Sequence, residues 1–268
     1  MGRLRPVRQV RPVRQSDAVP ADPLAGLMRL DGVFEAVDGA RAAVDALLRE
    51  PVLRRRRLEV TAESLRRGSW ASAALAGSDV PLSIFTPPFP DDESGSIAAA
   101  ALRTTAQVGS LSAVWSRAPL QALARLHTLV AADHVTASEL GRPRDDREVS
   151  VRLGQLAEVV TSPTEAAGLV VAAVVHGEIL ALQPFTWGNG LVARAALRLV
   201  LVDRGVDPDA LSIPEEGMLE LGEASTREAR AGYVSGDPAG VTRWLMHVAS
   251  SVARGAAAGR RVCQELPT

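Results

Sequence analysis

The chain is poor in three kinds of residue that often indicate a function. Its single cysteine, Cys263, excludes an intramolecular disulfide and a metal site built from several cysteines in these 268 residues. Lysine is absent, so all thirty basic residues are arginine, which fits a GC-rich genome better than a function. Aromatic residues make up only 3% of the chain, while apolar residues make up 47%. A core of small aliphatic side chains favours closely packed helices over a β-sandwich.

Charge and hydropathy exclude further classes of function. The formal net charge of −1 argues against a nucleic-acid or membrane surface that covers the whole domain. No run of about 18 apolar residues predicts a transmembrane helix. The N-terminus is charged but lacks the apolar segment of a signal peptide. These features predict a cytoplasmic protein that does not contact a membrane.

Residues 1–20 form a basic segment in which Arg-Pro-Val-Arg-Gln is nearly duplicated. Two prolines six residues apart break a helix, and alternating arginine and valine suits an extended arm. Such an arm binds nucleic acid or an acidic partner, or is simply a solvated terminus. Residues 21–268 are predicted to form one helical domain, in which residues 21–60 are N-terminal helices.

Apolar residues recur at three- and four-residue spacing through most of this domain, which predicts an all-α fold. Two long apolar segments, 166–182 and 192–202, flank a short turn. Ser162 and Pro163 have the N-cap and N1 chemistry that is typical of a helix start, so they are predicted to open the first segment. Residues 148–154 instead alternate as a short strand does, which predicts a small β-hairpin near residues 142–154.

The segment from Gln183 to Arg194 reads Gln-Pro-Phe-Thr-Trp-Gly-Asn-Gly-Leu-Val-Ala-Arg. A helix that stops, turns on two glycines and restarts points backbone N–H groups into the turn, where they can hold a phosphate or carboxylate. The alternative is a glycine-capped connection between two helices with no ligand. The sequence contains none of the common phosphate-loop, metalloprotease or hydrolase motifs. Structural roles are predicted for the four scattered histidines, His127, His134, His176 and His247.

The same segment resembles the signature of the Fic (Fido) family, H-x-F-x-[DE]-G-N-G-R-x-x-R. In that family the loop binds a nucleotide, and its histidine drives transfer of AMP to a hydroxyl group of a target protein. The matching residues are Phe185, Gly188, Asn189, Gly190 and Arg194, and the resemblance implies that they bind ATP or another nucleotide or anion.

The resemblance extends over about residues 61–256 and implies a Fic-like helical bundle. The helix that contains His176 is similar to the family's helix before the motif. Residues 142–154 lie where the family has a hairpin flap that binds the target's backbone. The tail from Tyr233 to Asp237 and the helix after it are similar to the family's last helix.

The sequence departs from the signature at three positions, and in the family all three take part in binding the phosphates or in catalysis. Gln183 stands at the histidine position and cannot act as a general base near neutral pH. Trp187 stands at the acidic position and offers no oxygen to Mg²⁺. Leu191 replaces the first arginine. The expectation is a catalytically degenerate, Fic-like binding or regulatory module with no metal, and the alternative is an active AMP or related phosphate-group transferase that uses His176 or Glu178 as its base.

A second motif is consistent with lost catalysis. Many Fic proteins carry an inhibitory helix, [ST]-x-x-x-E-[GN], whose glutamate pairs with the last arginine of the signature. The segment from Ser72 to Gly77 resembles it, with Ala76 at the glutamate position. The resemblance therefore implies that Arg194 lacks a carboxylate partner. It also implies a protein partner and a homodimer, and a third alternative is an oligomeric structural protein whose arm mediates the contacts.

Overall fold

The structure is a computed structural model that describes residues 22–266. The predicted basic arm, residues 1–20, lies outside the described residues. Within residues 22–266 every regular element is helical, including two short 3-10 helices at Leu27–Arg29 and Leu82–Ile84. The α-helices are α1 Val33–Leu48, α2 Leu53–Ala74, α3 Glu93–Thr105, α4 Val108–Trp115, α5 Pro119–Ala131, α6 Arg147–Thr161, α7 Gly168–Leu182, α8 Asn189–Asp203, α9 Pro214–Leu221, α10 Glu223–Ser235 and α11 Pro238–Glu265.

Several helices begin where their first residues predict. The carboxylate of Asp237 accepts a hydrogen bond from the N–H of Gly240 at 2.9 Å, and Pro238 follows it at the first helical position. Pro214 likewise occupies the first position of α9, although Ile213 before it makes no side-chain cap. Proline at the first helical position is typical of a helix start, and both α9 and α11 begin in this way.

The predicted β-hairpin near residues 142–154 is wrong, because α6 occupies most of this range. Asp146 caps α6 by accepting a hydrogen bond from the N–H of Glu148 at 2.7 Å. The apolar residues that suggest alternation belong to a helical stripe with a spacing of three and four. The buried residues of that stripe are Val149, Leu153, Leu156 and Val160.

The predicted role of Ser162 and Pro163 is also wrong. These residues follow the last residue of α6, Thr161, and α7 begins only at Gly168. A proline without an N–H is equally suited to the stretch after a helix, because the helix cannot continue through it.

Helices α7 and α8 form the centre of the bundle and pack extensively against each other. Every residue of α8 from Leu191 to Leu201 is buried. The long helix α11 packs against α1, α9, α10 and α7. Its Trp244 is fully buried and donates a hydrogen bond to the carbonyl of Ala173 in α7 at 2.8 Å. The loop that joins α7 to α8 is therefore held between two helices that are packed on nearly all sides.

Among the described helices, none has both the length and the hydropathy that a membrane span requires.

Candidate functional site

The loop between α7 and α8 is the predicted turn. Gln183 ends α7 in the left-handed region, with φ 44° and ψ 62°, and its side chain is exposed. Gly188 caps α8 with φ 74°, a conformation that favours glycine. Helix α8 begins at Asn189, three residues before the predicted start at Val192. The Gly-Asn-Gly segment thus leads into the first turn of a helix, where backbone N–H groups have no acceptor within the helix.

The side chain of Asn189 closes the loop on itself. Its Oδ1 accepts a hydrogen bond from the N–H of Phe185 at 2.9 Å, and its Nδ2 donates one to the carbonyl of Phe185 at 2.8 Å. Both polar atoms of the amide are therefore used inside the protein. We infer that Asn189 shapes the loop, and that contact with a ligand is left to backbone groups.

Arg144 fixes the start of the loop from outside. Its N–H donates to the carbonyl of Pro184 at 2.7 Å, and its guanidinium donates to the carbonyls of Gln183 at 2.9 Å and Leu182 at 3.1 Å. Carbonyls at the end of a helix have no N–H donor within that helix, so Arg144 supplies the missing donors. Sequence patterns carry no specific sign of this contact, because Arg144 lies in the segment for which they predict a hairpin.

Two histidines pack under the loop between α7 and α8: His127 lies in α5, and His134 follows the end of α5. The ring of His127 stacks on Phe185 with centroids 4.0 Å apart, and His134 stacks on Trp187 at 3.6 Å. The Nδ1 atom of His127 accepts a hydrogen bond from the N–H of Gly141 at 3.0 Å, which places the proton of the neutral ring on Nε2. Burial lowers the pKa of both histidines. Both histidines therefore have a structural role, which is to stack on the two aromatic residues of the loop. In the sequence, only the seven-residue spacing of His127 and His134 hints that they share one side of a helix.

Arg194 belongs to the second turn of α8, and its side chain, which is 7% exposed, extends back toward the first turn. Its Nε donates to the hydroxyl of Ser72 in α2, and its Nη2 donates to the carbonyl of Ser72, both at 2.8 Å. A Cβ built on Gly190 would lie 3.2 Å from Nη1 of Arg194, so this remaining nitrogen faces the Gly-Asn-Gly turn. Burial lowers the pKa of Arg194 to about 10, and the charge of Glu215 opposes this shift. The guanidinium therefore carries its positive charge at neutral pH, directly below a helix N-terminus.

The structure brings most of the predicted binding residues together. Phe185, Gly188, Asn189 and Gly190 form the loop and the first turn of α8, and Arg194 lies one turn further along. Ser72, from the predicted inhibitory segment, contacts Arg194, whereas Ala76 and Gly77 lie in the turn after α2.

The substituted positions have no reactive group. Trp187 stacks on His134, and Leu191, at the position of the first arginine, is only 3% exposed. Glu139, which lies in the same part of the surface, is held by its hydrogen bonds to Thr136, and these bonds lower its pKa. Within residues 22–266 no three His, Cys, Asp or Glu side chains are grouped as a metal site requires.

The two alternative bases are both engaged. His176 is 2% exposed and packs against Trp244, with ring centroids 5.2 Å apart. Burial lowers the pKa of His176 to about 3, and the charge of Arg194 acts in the same direction. Glu178 accepts hydrogen bonds from Arg152 at 2.7 Å and from the hydroxyl of Tyr233 at 2.8 Å. His176 is therefore enclosed by the core, and both carboxylate oxygens of Glu178 already accept hydrogen bonds.

The buried state of His176 makes stability depend on pH. The unfolded chain binds a proton at this histidine below about pH 6.5, whereas the folded chain excludes it down to about pH 3. We expect the free energy of unfolding to decrease as the pH is lowered from about 6.5 to about 3. This histidine should contribute roughly 1.4 kcal/mol per pH unit to the decrease. Urea unfolding at several pH values should show a shallower dependence for His176→Leu. His134→Gln is the control and should change the slope much less, and equal slopes for the wild type and His176→Leu would contradict the assignment.

The architecture is similar to that of several solved Fic structures. A Fic family protein from Desulfovibrio desulfuricans G20 superposes with a TM-score of 0.69 at 18% identity, over 87% of this chain and 76% of that one. Fic-1 from C. elegans, residues 134–508, gives 0.62 at 16% identity, over 85% and 73%. A Fic domain containing signaling protein from Bacteroides thetaiotaomicron VPI-5482 gives 0.60 at 12% identity, over 87% and 99%.

No protein-family model and no curated protein sequence matches the chain. The chain nevertheless has the Fic fold, so the all-α bundle that the sequence predicts is confirmed.

Proposed function

We propose that this Fic-fold chain is a binding module without transferase activity, and that it binds a phosphate-containing ligand of the nucleotide class at the start of α8. The proposal rests on the position of Arg194. Its Nη1 faces Gly190 from below, where the first N–H groups of α8 are free of helical partners. A buried positive charge next to a helix N-terminus favours an anion.

The absence of a base supports the second half of the proposal. Gln183 replaces the signature histidine with a side chain that does not titrate near neutral pH. His176 is enclosed, and both carboxylate oxygens of Glu178 accept hydrogen bonds. Trp187 contributes a stacked ring in place of a carboxylate, so a nucleotide is expected to bind without Mg²⁺ coordinated by the protein.

Binding of ATP, ADP and inorganic phosphate can be measured by calorimetry, with Mg²⁺ and with EDTA. We expect nucleotide binding that persists in EDTA and becomes about ten- to a hundredfold weaker in Arg194→Gln, because a hydrogen bond to a charged group contributes roughly 1.5 to 3 kcal/mol. Ser72→Ala is the matched control, since it removes an acceptor from Arg194 but keeps the charge. Its binding should be as tight as in the wild type or tighter.

Two results would overturn the proposal. Equal nucleotide affinity in the wild type and in folded Arg194→Gln would remove the site from the start of α8. Incorporation of label from ATP labelled on the α-phosphate, into this protein or a target, would contradict the absence of transferase activity.

A further inference from the structure

Helices α6 and α7 leave a groove between them on the surface, and α10 and the start of α11 close one part of it. It consists of two adjoining cavities of about 340 and 260 Å³, which share Arg152, Val174 and Glu178 in their walls. The rest of the lining is mainly aliphatic. Val234 at its edge is 58% exposed, so the apolar surface continues beyond the cavity wall. An apolar groove of this kind is suited to a segment that presents small aliphatic side chains.

Carboxylates lie in and next to the same groove, since Glu178 lines both cavities and Glu148 pairs with Arg152 of the lining. Glu148, Glu158 and Glu165 are all exposed, on α6 and on the connection from α6 to α7. Arg152 is the positive group within the groove, and it is already paired with Glu178 at 2.7 Å and with Glu148 at 3.6 Å. Two carboxylates, Glu148 and Glu178, thus face one guanidinium, and this excess of negative charge suits a segment that also carries positive charge.

The described chain starts at one end of this groove. The carboxylate of Asp22 accepts hydrogen bonds from the hydroxyl of Thr164 at 2.9 Å and from the N–H of Glu165 at 2.8 Å, in the connection between α6 and α7. Leu24 is buried, and Leu27 lines the larger cavity. The residues that precede Asp22 are thus joined to the fold beside the groove.

The sequence of that segment has a period of three. Arginine recurs at positions 5, 8, 11 and 14, valine at 7, 10 and 13, and proline or glutamine at 6, 9, 12 and 15. A polyproline II helix has three residues per turn, so it would place the valines on one face and the arginines on another. The near-duplication of Arg-Pro-Val-Arg-Gln thereby encodes a segment with one apolar and one basic face.

We propose that residues 5–15 of this chain dock in the groove between α6 and α7. The valine face packs on the aliphatic lining, which includes Val174 and Val234, and the arginines approach the carboxylates of Glu148 and Glu178. In polyproline II the valines from position 7 to position 13 span about 19 Å, which fits along α6, whose fifteen residues span about 22 Å. The tether at Asp22 makes docking intramolecular, with an effective concentration of roughly millimolar order.

Trypsin gives a direct test, because it cuts at Arg8–Gln9 and Arg14–Gln15 but not before a proline. We expect these two bonds to be cut at least tenfold more slowly in the full chain than in a synthetic peptide of residues 1–21. Val234→Asp should restore cutting to nearly the peptide rate. Leu58→Asp, at a site on α2 that is 85% exposed, is the matched control and should keep the protection. Early fragments are quantified by mass spectrometry.

A second measurement locates the arm. A nitroxide attached through Val10→Cys, in a Cys263→Ser background, should broaden the NMR signals of α6 and α7. Three results would overturn the proposal: cutting at the peptide rate in the wild type, broadening elsewhere such as residues 87–96, or protection that is lost on tenfold dilution. The last result would assign the arm to the groove of a second copy.

Discussion

Glu215→Gln is expected to lower the free energy of unfolding by about 3 to 5 kcal/mol, because it leaves a buried guanidinium without its counter-ion. Arg198 and Glu215 are each 1% exposed, and their closest N–O distance is 2.6 Å. The carbonyls of Ala210 at 3.2 Å and Ser212 at 2.9 Å accept the other hydrogen bonds of Arg198. Glutamine keeps the volume of glutamate but supplies no negative charge, so the penalty is electrostatic rather than steric.

Urea unfolding checks this value, and the surface provides the control. Glu223 and Arg227 are paired at the same 2.6 Å, but their side chains are 85% and 72% exposed. Glu223→Gln should therefore change the free energy of unfolding by less than about 1 kcal/mol. Similar losses in the two variants would contradict a specific role for the buried pair. A large loss of stability in Glu215→Gln alone would show that the pair of Arg198 and Glu215 holds α8 in position. Arg194 lies one turn before Arg198 in α8 and would be held in position by the same pair.

Gly188→Ala should lower the free energy of unfolding by roughly 2 to 5 kcal/mol, from two independent effects. The φ of 74° costs a non-glycine residue about 1 to 2 kcal/mol. In addition, the new methyl group would overlap Cγ1 of Val130 in α5, and relief of such overpacking costs typically 1 to 3 kcal/mol. Because the loop is pressed against α5 here, the change should also weaken the stacking of Trp187 on His134, which tryptophan fluorescence can follow.

Two variants separate the contributions. Gly205 has a similar φ of 65°, and a Cβ added there would have no atom within 4 Å, so Gly205→Ala should show the conformational cost alone. Adding Val130→Ala to Gly188→Ala should recover part of the steric cost, in a double-mutant cycle with a favourable coupling. If Gly188→Ala and Gly205→Ala lost the same free energy, contact with α5 would not limit the loop.

Local patterns predict the helices well where a single periodicity dominates. The apolar segments on both sides of the loop correspond to α7 and α8, whose side chains are buried on nearly all sides. The predicted hairpin fails because valines at 149 and 151 fit a period of two over a short window. Only the longer stripe through Leu153 and Leu156, together with the cap at Asp146, identifies a helix.

The candidate site also has a local part that the sequence predicts and a long-range part that it does not. The turn at Gly188 follows from neighbouring residues, so it could be predicted from the sequence. The partner of Arg194 is harder to predict, because Ser72 is 122 residues away and donor–acceptor pairs at that distance leave no periodic signal. The resemblance to an inhibitory segment directs attention to Ser72, and its contact with Arg194 is present in the structure. An inhibitory role for this segment stays a prediction.

The closed ring between Asn189 and Phe185 also bears on how the protein ages chemically. In an unfolded chain an Asn–Gly pair deamidates readily, because the glycine nitrogen can attack the side-chain amide carbon. Here the helical backbone at Gly190 and the two hydrogen bonds of Asn189 hold those atoms in place. Deamidation would remove the donor to the carbonyl of Phe185 and put a negative charge where a phosphate is proposed to bind. The rate at which Asn189 deamidates in the folded protein is therefore a measure of how often the loop opens.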